Sequence, residues 1–424
     1  MNFSPNFHSF VFCFIKPETF VKIHYMKKSL LTLFLSFIIL QSFGQGGNDI
    51  KLSSLPYYNY GKGLGLTSPD SLFQFNIRFR IQNRMGYNRD ENGNPSFDAQ
   101  VRRLRLRFDG FVGDPRFVYV MQLSFAPGDV GEVVEGQNLN IIRDAIVFYR
   151  PNKHWNFGFG QTKLPGNRQR VNSSGALQLT DRSINNAKFN IDRDFGVQVN
   201  YLHEEKSKFS YNVKTAISSG EGRNWTKDPD DGLAYTGKIE LLPLGSFTKD
   251  GIYFEGDQAR EKKPKVMLSG AYHFNKNARR EQGVLGKDLY EKRDLKAVFI
   301  DAMFKYSGFA FQAAYMSRDT DDPETVSEED GSKRTVYVGH GYDLESSYLF
   351  KNNFELIGRY SKLLSAEKIS LKYPDQTEFT VGLTKYMWEH AFKIQSELTF
   401  DQFEYYDGTE KGSWYLRFQV EMGI

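Results

Sequence analysis

Cysteine is almost absent from this 424-residue sequence, in which Cys13 is the single example. One thiol cannot form an internal disulfide. Because Cys13 lies ahead of the cleavage site predicted below, the mature chain would have no thiol nucleophile and no cysteine for lipid attachment. The sequence therefore excludes disulfide-stabilised small domains, cysteine-dependent enzymes and lipoproteins.

Long hydrophobic runs are also scarce, and the mean hydropathy is −0.52. The exception is Leu30–Leu40, which follows the basic start Met26-Lys27-Lys28 and precedes small residues that end at Gly44. This pattern, with an apolar core too short to span a membrane comfortably, predicts a secretory signal peptide over 1–44. Residues 1–25 lie upstream of this signal. We expect that the start codon is assigned too early, and a genuinely extended signal is the alternative.

Motifs for cofactor, metal or nucleic-acid chemistry are lacking. The sequence has no Gly-x-x-x-x-Gly-Lys phosphate loop, and a net charge of +4 is too mild to indicate nucleic acid. We expect no cofactor, no metal and no enzymatic activity, although a catalytic triad depends on geometry that a sequence does not show. The histidines of the mature chain are scattered without metal-ligand spacing: His154, His203, His273, His340 and His390.

Aromatic residues are abundant, with 37 Phe and 24 Tyr, and apolar residues alternate with polar ones in many short runs. In a strand, such alternation places the two sets on opposite faces. A strand that faces lipid outside and water inside has this pattern, and so does the amphipathic strand of a soluble sandwich. The clearest run ends the chain, with apolar residues at Trp414, Leu416, Phe418, Val420, Met422 and Ile424.

Sixteen runs have the character of strands. They are predicted at about 72–85, 101–112, 116–126, 140–150, 154–163, 193–204, 208–218, 233–243, 264–274, 295–306, 308–318, 336–349, 353–363, 377–388, 390–403 and 413–424.

The connections between these runs alternate between tight turns and long polar stretches. The long ones are 86–100, 127–139, 164–192, 219–232, 275–294, 319–335, 364–376 and 404–412. Transmembrane barrels have short periplasmic turns and longer external loops, whereas a sandwich does not sort its loops in this way. We predict an all-β, 16-stranded antiparallel transmembrane barrel over 71–424, preceded by a short periplasmic segment at 45–70. Residues 244–263 break the alternation, since a short turn is due there.

Arginines are concentrated on one face of the first two predicted strands. If the two runs form a hairpin, Arg78, Arg80, Arg84, Arg103, Arg105 and Arg107 share one patch of the inner wall. Charges on the lipid face would cost a few kcal/mol each near the membrane centre, so we expect these groups to point inward. Asp109 alone cannot pair with all six. The patch is either an ion-pair network that holds the wall or a basic strip that attracts anions.

Several motifs together resemble the phosphate-selective porin O and P family, especially its Bacteroidetes members. The likeness covers about 60–424, with the motifs at 100–110, 143–145, 160–165, 193–196, 301–306 and 348–353. The resemblance implies a sixteen-stranded barrel, usually trimeric, in which the third external loop folds inward to narrow the pore. It also implies anion selectivity from arranged arginines and lysines. The external lysine cluster of phosphate-specific members has no clear counterpart here, so we expect a preference for anions rather than phosphate specificity.

In this sequence the third external loop is 164–192, the longest predicted connection. The loop and its flanks are net basic, as suits a water-lined constriction; a surface loop that meets solvent or lipopolysaccharide is the alternative. Together with the six strand arginines, the candidate pore-lining and anion-binding residues are Lys163, Arg168, Arg170, Arg182 and Arg193.

The sequence as a whole predicts a porin of a Gram-negative outer membrane, a passive channel that favours small anions and needs no cofactor. Its expected partners are small anionic solutes, outer-membrane lipid and lipopolysaccharide, and two further copies of the chain in a homotrimer. A barrel enzyme such as a lipid hydrolase and a secreted β-rich adhesin are the alternative functions.

Overall fold

The computed structural model describes residues 57–59, 63–131, 140–205, 207–224 and 232–424. The predicted signal peptide over 1–44 lies outside the described residues, and so does the first part of the predicted periplasmic segment. Among the residues described, no helix is long and apolar enough to cross a membrane.

Sixteen antiparallel strands form a closed barrel, because each strand pairs with the next and the last, β20, pairs with the first, β3. This confirms the predicted strand number and orientation. The barrel strands are β3 (Phe73–Arg89), β4 (Pro95–Val112), β5 (Phe117–Ser124), β6 (Ile142–Tyr149), β7 (Trp155–Lys163), β8 (Arg193–His203), β9 (Ser210–Ser218), β10 (Ala234–Leu242), β11 (Lys265–Arg280), β12 (Asp288–Tyr306), β13 (Phe309–Asp319), β16 (Gly339–Leu349), β17 (Phe354–Ser365), β18 (Asp375–Trp388), β19 (Phe392–Glu404) and β20 (Glu410–Gly423).

The remaining elements are short and lie in the connections. They are the strands β1 (Tyr57–Asn59), β2 (Gly63–Thr67), β14 (Glu324–Val326) and β15 (Lys333–Thr335), the helices α1 (Pro127–Val130), α2 (Arg168–Val171) and α3 (Ile184–Phe189), and 3-10 turns at Ser174–Ala176, Thr248–Tyr253 and Glu367–Ile369.

The two faces of the strands differ as the alternation predicts. On β10, Lys238 and Glu240 are buried on the inner face, while Tyr235 and Ile239 are exposed on the outer face. The ammonium of Lys238 lies 3.6 Å from Glu240 and 3.4 Å from Asp301, as expected because an unpaired charge away from water is costly. The inner face is therefore a network of paired polar groups, and the outer face is an apolar surface suited to lipid.

Three predicted long connections are wrong in extent, because the strands continue through most of them. The connection predicted at 86–100 is residues 90–94, that at 275–294 is 281–287, and that at 404–412 is 405–409. Apolar alternation stops where lipid ends, whereas backbone hydrogen bonding between two strands continues in water. A polar sequence therefore marks the edge of the membrane rather than the end of the strand.

The described part of the predicted periplasmic segment is a hairpin of β1 and β2. Strand β2 pairs with β3 from Gln74 to Ile77, whereas β20 pairs with β3 from Arg80 onward. Strand β2 therefore continues the wall along β3 at the point where β20 ends.

Candidate functional site

The arginines of β3 and β4 are all held by partners. Arg78 and Arg107 share Asp109. The Arg80 guanidinium donates to Ser173 Oγ (3.0 Å) and Ser174 Oγ (2.7 Å). The remaining predicted strand arginines pair with two acids from connections: Arg84 (3.3 Å) and Arg103 (3.1 Å) with Asp181, and Arg105 (2.5 Å) with Asp129. These contacts form an ion-pair network along the wall, which is one of the two alternatives that the sequence left open.

A bulge in β4 adds an arginine that strict alternation places on the lipid face. The register of β3 and β4 shifts between the pairs Gln82–Arg103 and Asn83–Val101, and this leaves Arg102 as the extra residue. Arg102 therefore turns to the same side as Arg103, and its guanidinium lies 2.7 Å from Asp181. The signal was present in the sequence, because two consecutive arginines in a lipid-facing strand cannot both be accommodated without a bulge.

Residues 164–192 connect β7 to β8 and contact the inner faces of strands from β3 to β20. Neutral side chains and backbone amides of this segment donate to buried acids on the far strands. Thr180 donates from its backbone N (2.8 Å) and its hydroxyl (2.6 Å) to Glu397. The further contacts of this kind join Gln178 to Glu355, Ser183 and Asn185 to Asp343, and the Arg168 N–H to Asp301.

Two glycines on the inner face permit this close approach. A Cβ atom at Gly341 would lie 1.8 Å from Oδ1 of Asn185, and one at Gly382 would lie 2.2 Å from Cδ2 of Leu179. Any larger residue at either position would displace the segment. Glycines in β16 and β18 thus leave space for residues 164–192 inside the barrel.

The opposite side of the segment carries cations. Arg182 donates to the carbonyls of Gln169 (2.7 Å) and Asn172 (3.1 Å), and Lys163 Nζ donates to the carbonyls of Val171 and Asn172 (both 2.8 Å). Within the described part of the chain, neither cation has a carboxylate at ion-pair distance. Carbonyl groups orient a cation without placing a negative charge beside it, and both side chains border the adjoining space.

That space consists of three adjoining cavities that lie along the wall of β4 to β9, and the upper one also reaches β18, β19 and β20. The upper cavity, of about 520 Å³, lies toward the long connections. The middle one is about 180 Å³ and the lower one, toward the tight turns, about 570 Å³. Lys163 lines all three cavities, Arg105 and Arg193 line the upper and middle ones, and Thr162 and Val171 line the middle and lower ones.

The cavity walls are predominantly basic. Ten cations and five acids line the upper cavity, and four cations and one acid line the middle one. The described residues around the lower cavity include Arg150, Lys153, Lys163 and Lys214 but no acid. The upper cations are Arg102, Arg103, Arg105, Arg143, Lys163, Arg170, Arg182, Arg193, Arg223 and Arg417.

The predicted site residues therefore divide into two groups. Arg103, Arg105, Arg107, Lys163, Arg170, Arg182 and Arg193 line these cavities. Arg78, Arg80 and Arg84 belong to the paired wall, and Arg168 is buried, 2.9 Å from Glu240 and stacked on Tyr253. Sequence reasoning missed Arg102, Arg143, Arg223 and Arg417.

Asp181 is a counterion that Arg84, Arg102 and Arg103 share at the upper cavity. Burial alone would raise the pKa of its carboxyl, but the guanidiniums of Arg103 and Arg102 outweigh burial and hold that pKa well below its usual range. Asp181 is therefore ionised at neutral pH. No group of described residues has the composition of a metal site.

Comparison with known proteins identifies the architecture. The sequence model of the family described as phosphate-selective porin O and P matches residues 75–398, and no curated protein matches the chain. The outer membrane channel DcaP of Acinetobacter baumannii superposes with a TM-score of 0.52 at 13% identity, over 85% of this chain and 99% of that chain.

Two further solved structures are similar. An anion-selective porin from Comamonas acidovorans has a TM-score of 0.51 at 10% identity, over 83% of this chain and 100% of its own. OmpT of Vibrio cholerae has a TM-score of 0.51 at 11% identity, over 83% and 98%. At such identities the likeness establishes the fold alone.

Proposed function

The chain belongs to the phosphate-selective porin O and P family, and on this premise we propose that it conducts small anions in preference to cations. The family and the barrel make it a diffusion channel of the Gram-negative outer membrane. A secreted adhesin is thereby set aside. We infer a purely passive role, without enzymatic activity.

One observation carries the anion preference. Lys163 lines all three cavities and is held by two backbone carbonyls rather than by an acid. A solute that moves from one cavity to the next passes this ammonium group. In a narrow water-filled space with low-dielectric walls, an uncompensated charge raises the local concentration of counterions and opposes ions of its own sign.

We further propose that residues 164–192 are the third external loop, folded inward to constrict the pore. Support comes from their contacts with buried acids on β16, β17 and β19. These contacts hold the neutral side of the loop against the acidic strands. Arg170 and Arg182 then lie on the side that borders the upper cavity.

The experiment is a reversal-potential measurement on purified protein in planar bilayers under a potassium chloride gradient. Lys163→Gln removes the charge and keeps an N–H donor on a side chain that is one atom shorter. We expect a shift of the reversal potential toward cation permeability and a lower chloride conductance. Lys333→Gln is the control, because Lys333 is exposed in the β14–β15 hairpin and pairs with Glu324.

Two finer properties follow the family resemblance. A homotrimer is expected, and chemical cross-linking in detergent tests it. The second property is specific binding of phosphate, and a block of the chloride current by inorganic phosphate would support it. The acids Asp181 and Asp192 among the cavity cations favour a general anion path over a dedicated phosphate site.

A further inference from the structure

The connection between β10 and β11, residues 243–264, is long on the side of the barrel where the other connections are tight. The neighbouring turns on this side span only 150–154, 204–209, 307–308, 350–353 and 389–391. A chain that merely joined two adjacent strands would need a few residues. The extra length therefore requires a separate explanation.

This connection is fastened to three of the neighbouring turns. Asp257 accepts from the Gly308 N–H at 2.8 Å, and Arg260 donates to the carbonyls of Leu349 (2.6 Å) and Phe350 (2.5 Å). The ring of Phe254 stacks on His390, with 4.6 Å between centroids. The connection thus reaches across the tight-turn end of the barrel from β10 to β19.

A buried lysine anchors its backbone. Lys305 is 1% exposed, and its ammonium donates to the carbonyls of Gly251 (2.7 Å), Phe254 (2.9 Å) and Gly256 (2.7 Å). All three protons of the ammonium group are used. A lysine buried in this way fixes three backbone positions at once, so the connection is a built element rather than a loose loop.

The same connection contacts the constriction loop, residues 164–192, on the side of the loop that faces the tight turns. Glu255 accepts from the Gln178 N–H at 2.8 Å, and its own N–H donates to the Ala176 carbonyl at 3.2 Å. Gly256 lies so close that a Cβ atom there would be 2.5 Å from Glu355 and 2.8 Å from Gln178. The two segments are therefore in direct contact, with no space for a solute between them at this point.

Buried acids lie on the side of the barrel where the two segments meet. Glu345, Glu355, Glu397 and Glu421 lie on β16, β17, β19 and β20, and each is at most 5% exposed. At the tight-turn end, open space remains on the other side, along β6 to β9, where Tyr253 of the connection lines the lower cavity. The upper cavity, toward the long connections, also reaches Glu378 of β18 and Asp401 of β19. Tyr253 thus stands at the border between the open basic side and the covered acidic side.

We propose that residues 243–264 are a plug that closes the acid-lined half of the lumen at the tight-turn end and confines solute there to the basic wall. This rests on the proposed anion channel, because a path past both walls would expose solute to acids as well as to Lys163. The plug is then a determinant of charge selectivity that touches no solute along most of its length.

Thiol accessibility tests the plug without altering it. In a Cys13→Ser background, Ser347→Cys places a thiol beside Glu355 and Gln178 on the covered side, and Asn200→Cys places one in the lower cavity. Each variant is treated with an uncharged water-soluble maleimide in the folded state, verified by heat-modifiable migration. We expect Ser347→Cys to react more slowly than Asn200→Cys by at least about tenfold.

A variant that displaces the plug provides the second arm. Adding Gly256→Val to Ser347→Cys should bring its rate close to that of Asn200→Cys, whereas Gly270→Val, a position with open space around it, should not. Equal rates for the two thiols in the unaltered plug would overturn the inference. If Gly256→Val does not fold, the comparison of Ser347→Cys with Asn200→Cys in the unaltered plug still tests the inference. A protected Ser347→Cys in a channel without anion preference would instead overturn the proposed function and leave the plug intact.

Discussion

The guanidinium of Arg102 lies 2.7 Å from the carboxylate of Asp181, although strict alternation along β4 would turn this arginine toward lipid. The bulge that brings it inward also leaves Arg103 facing Asp181. One loop carboxylate thereby serves consecutive arginines of the wall and ties residues 164–192 to β4.

Asp181→Asn is therefore expected to act on selectivity and on stability in opposite directions. Removing the negative charge that Arg84, Arg102 and Arg103 share should shift the reversal potential further toward anions. The same change should lower the free energy of unfolding by about 1–3 kcal/mol, because the guanidiniums lose a charged partner. Bilayer recordings and urea unfolding measure the two effects.

The stability effect of Asp181→Asn should depend on pH in a defined direction. The pKa of the Asp181 carboxyl is lowered in the folded state, so its contribution is fully present above the unfolded pKa of about 3.9. It is lost as the pH falls through the folded pKa. The unfolding free energies of the two proteins should differ by a constant amount from pH 7 to about pH 5 and converge only in strong acid. A difference that grows with acidification would contradict this assignment.

Arg168 and Arg182 should differ although both were predicted to line the constriction. Arg168→Gln breaks a buried pair with Glu240 and should lower stability by about 3 kcal/mol or more with little direct effect on selectivity. Arg182→Gln removes a cation that borders the upper cavity and whose guanidinium donates to two carbonyls. It should shift the reversal potential toward cations in a barrel of nearly normal stability. The reverse pattern would mean that the path runs past Arg168.

The lipid-facing surface can be tested at Ile300, which is 53% exposed on the outer face of β12. Ile300→Arg should cost roughly 2–4 kcal/mol of folding free energy in lipid vesicles if the residue lies near the membrane centre. Leu371→Arg is the control, because Leu371 is 82% exposed in the connection between β17 and β18, and it should fold as well as the parent. Equal stability of both variants would place Ile300 outside the membrane.

Gly256→Val should widen the channel and weaken its anion preference. The added side chain would overlap Glu355 and Gln178, so the plug must move and expose the acids of β16 and β17. Single-channel conductance should rise and the reversal potential should move toward cations. Gly270→Val, on the outer face of β11, is expected to leave both quantities unchanged; a lower conductance in Gly256→Val would show that the plug had been pushed into the open path.

The sequence predicts the wall better than the interior. The strand predicted at 154–163 corresponds to β7, Trp155–Lys163. Such strands are predictable because lipid on one side and water on the other impose a period of two on every strand. No such periodicity governs what fills the barrel. The docking of Thr180 on Glu397 joins residues 217 positions apart, and neither residue type distinguishes this contact from many others.

Two arginines also lie where alternation and loop composition do not predict them. Arg102 enters the lumen through a bulge, and Arg168, a basic loop residue like Arg182, is buried in an ion pair. Composition marks a loop as basic, but partners decide which charges remain free. Residues 243–264 were visible as an anomaly of length, yet their role depends on where Lys305 and Gly256 place them.

The unmodified channel is proposed to conduct anions in preference to cations. The most direct measurement is its reversal potential in a planar bilayer under a gradient of dilute potassium chloride. We predict a potential of the sign set by chloride permeation, which diminishes as both solutions approach molar salt, because the screening length falls from about 10 Å at 0.1 M to about 3 Å at 1 M. A potential of zero, or one of the sign set by potassium, at low salt would contradict a path lined by Lys163 and the cavity arginines.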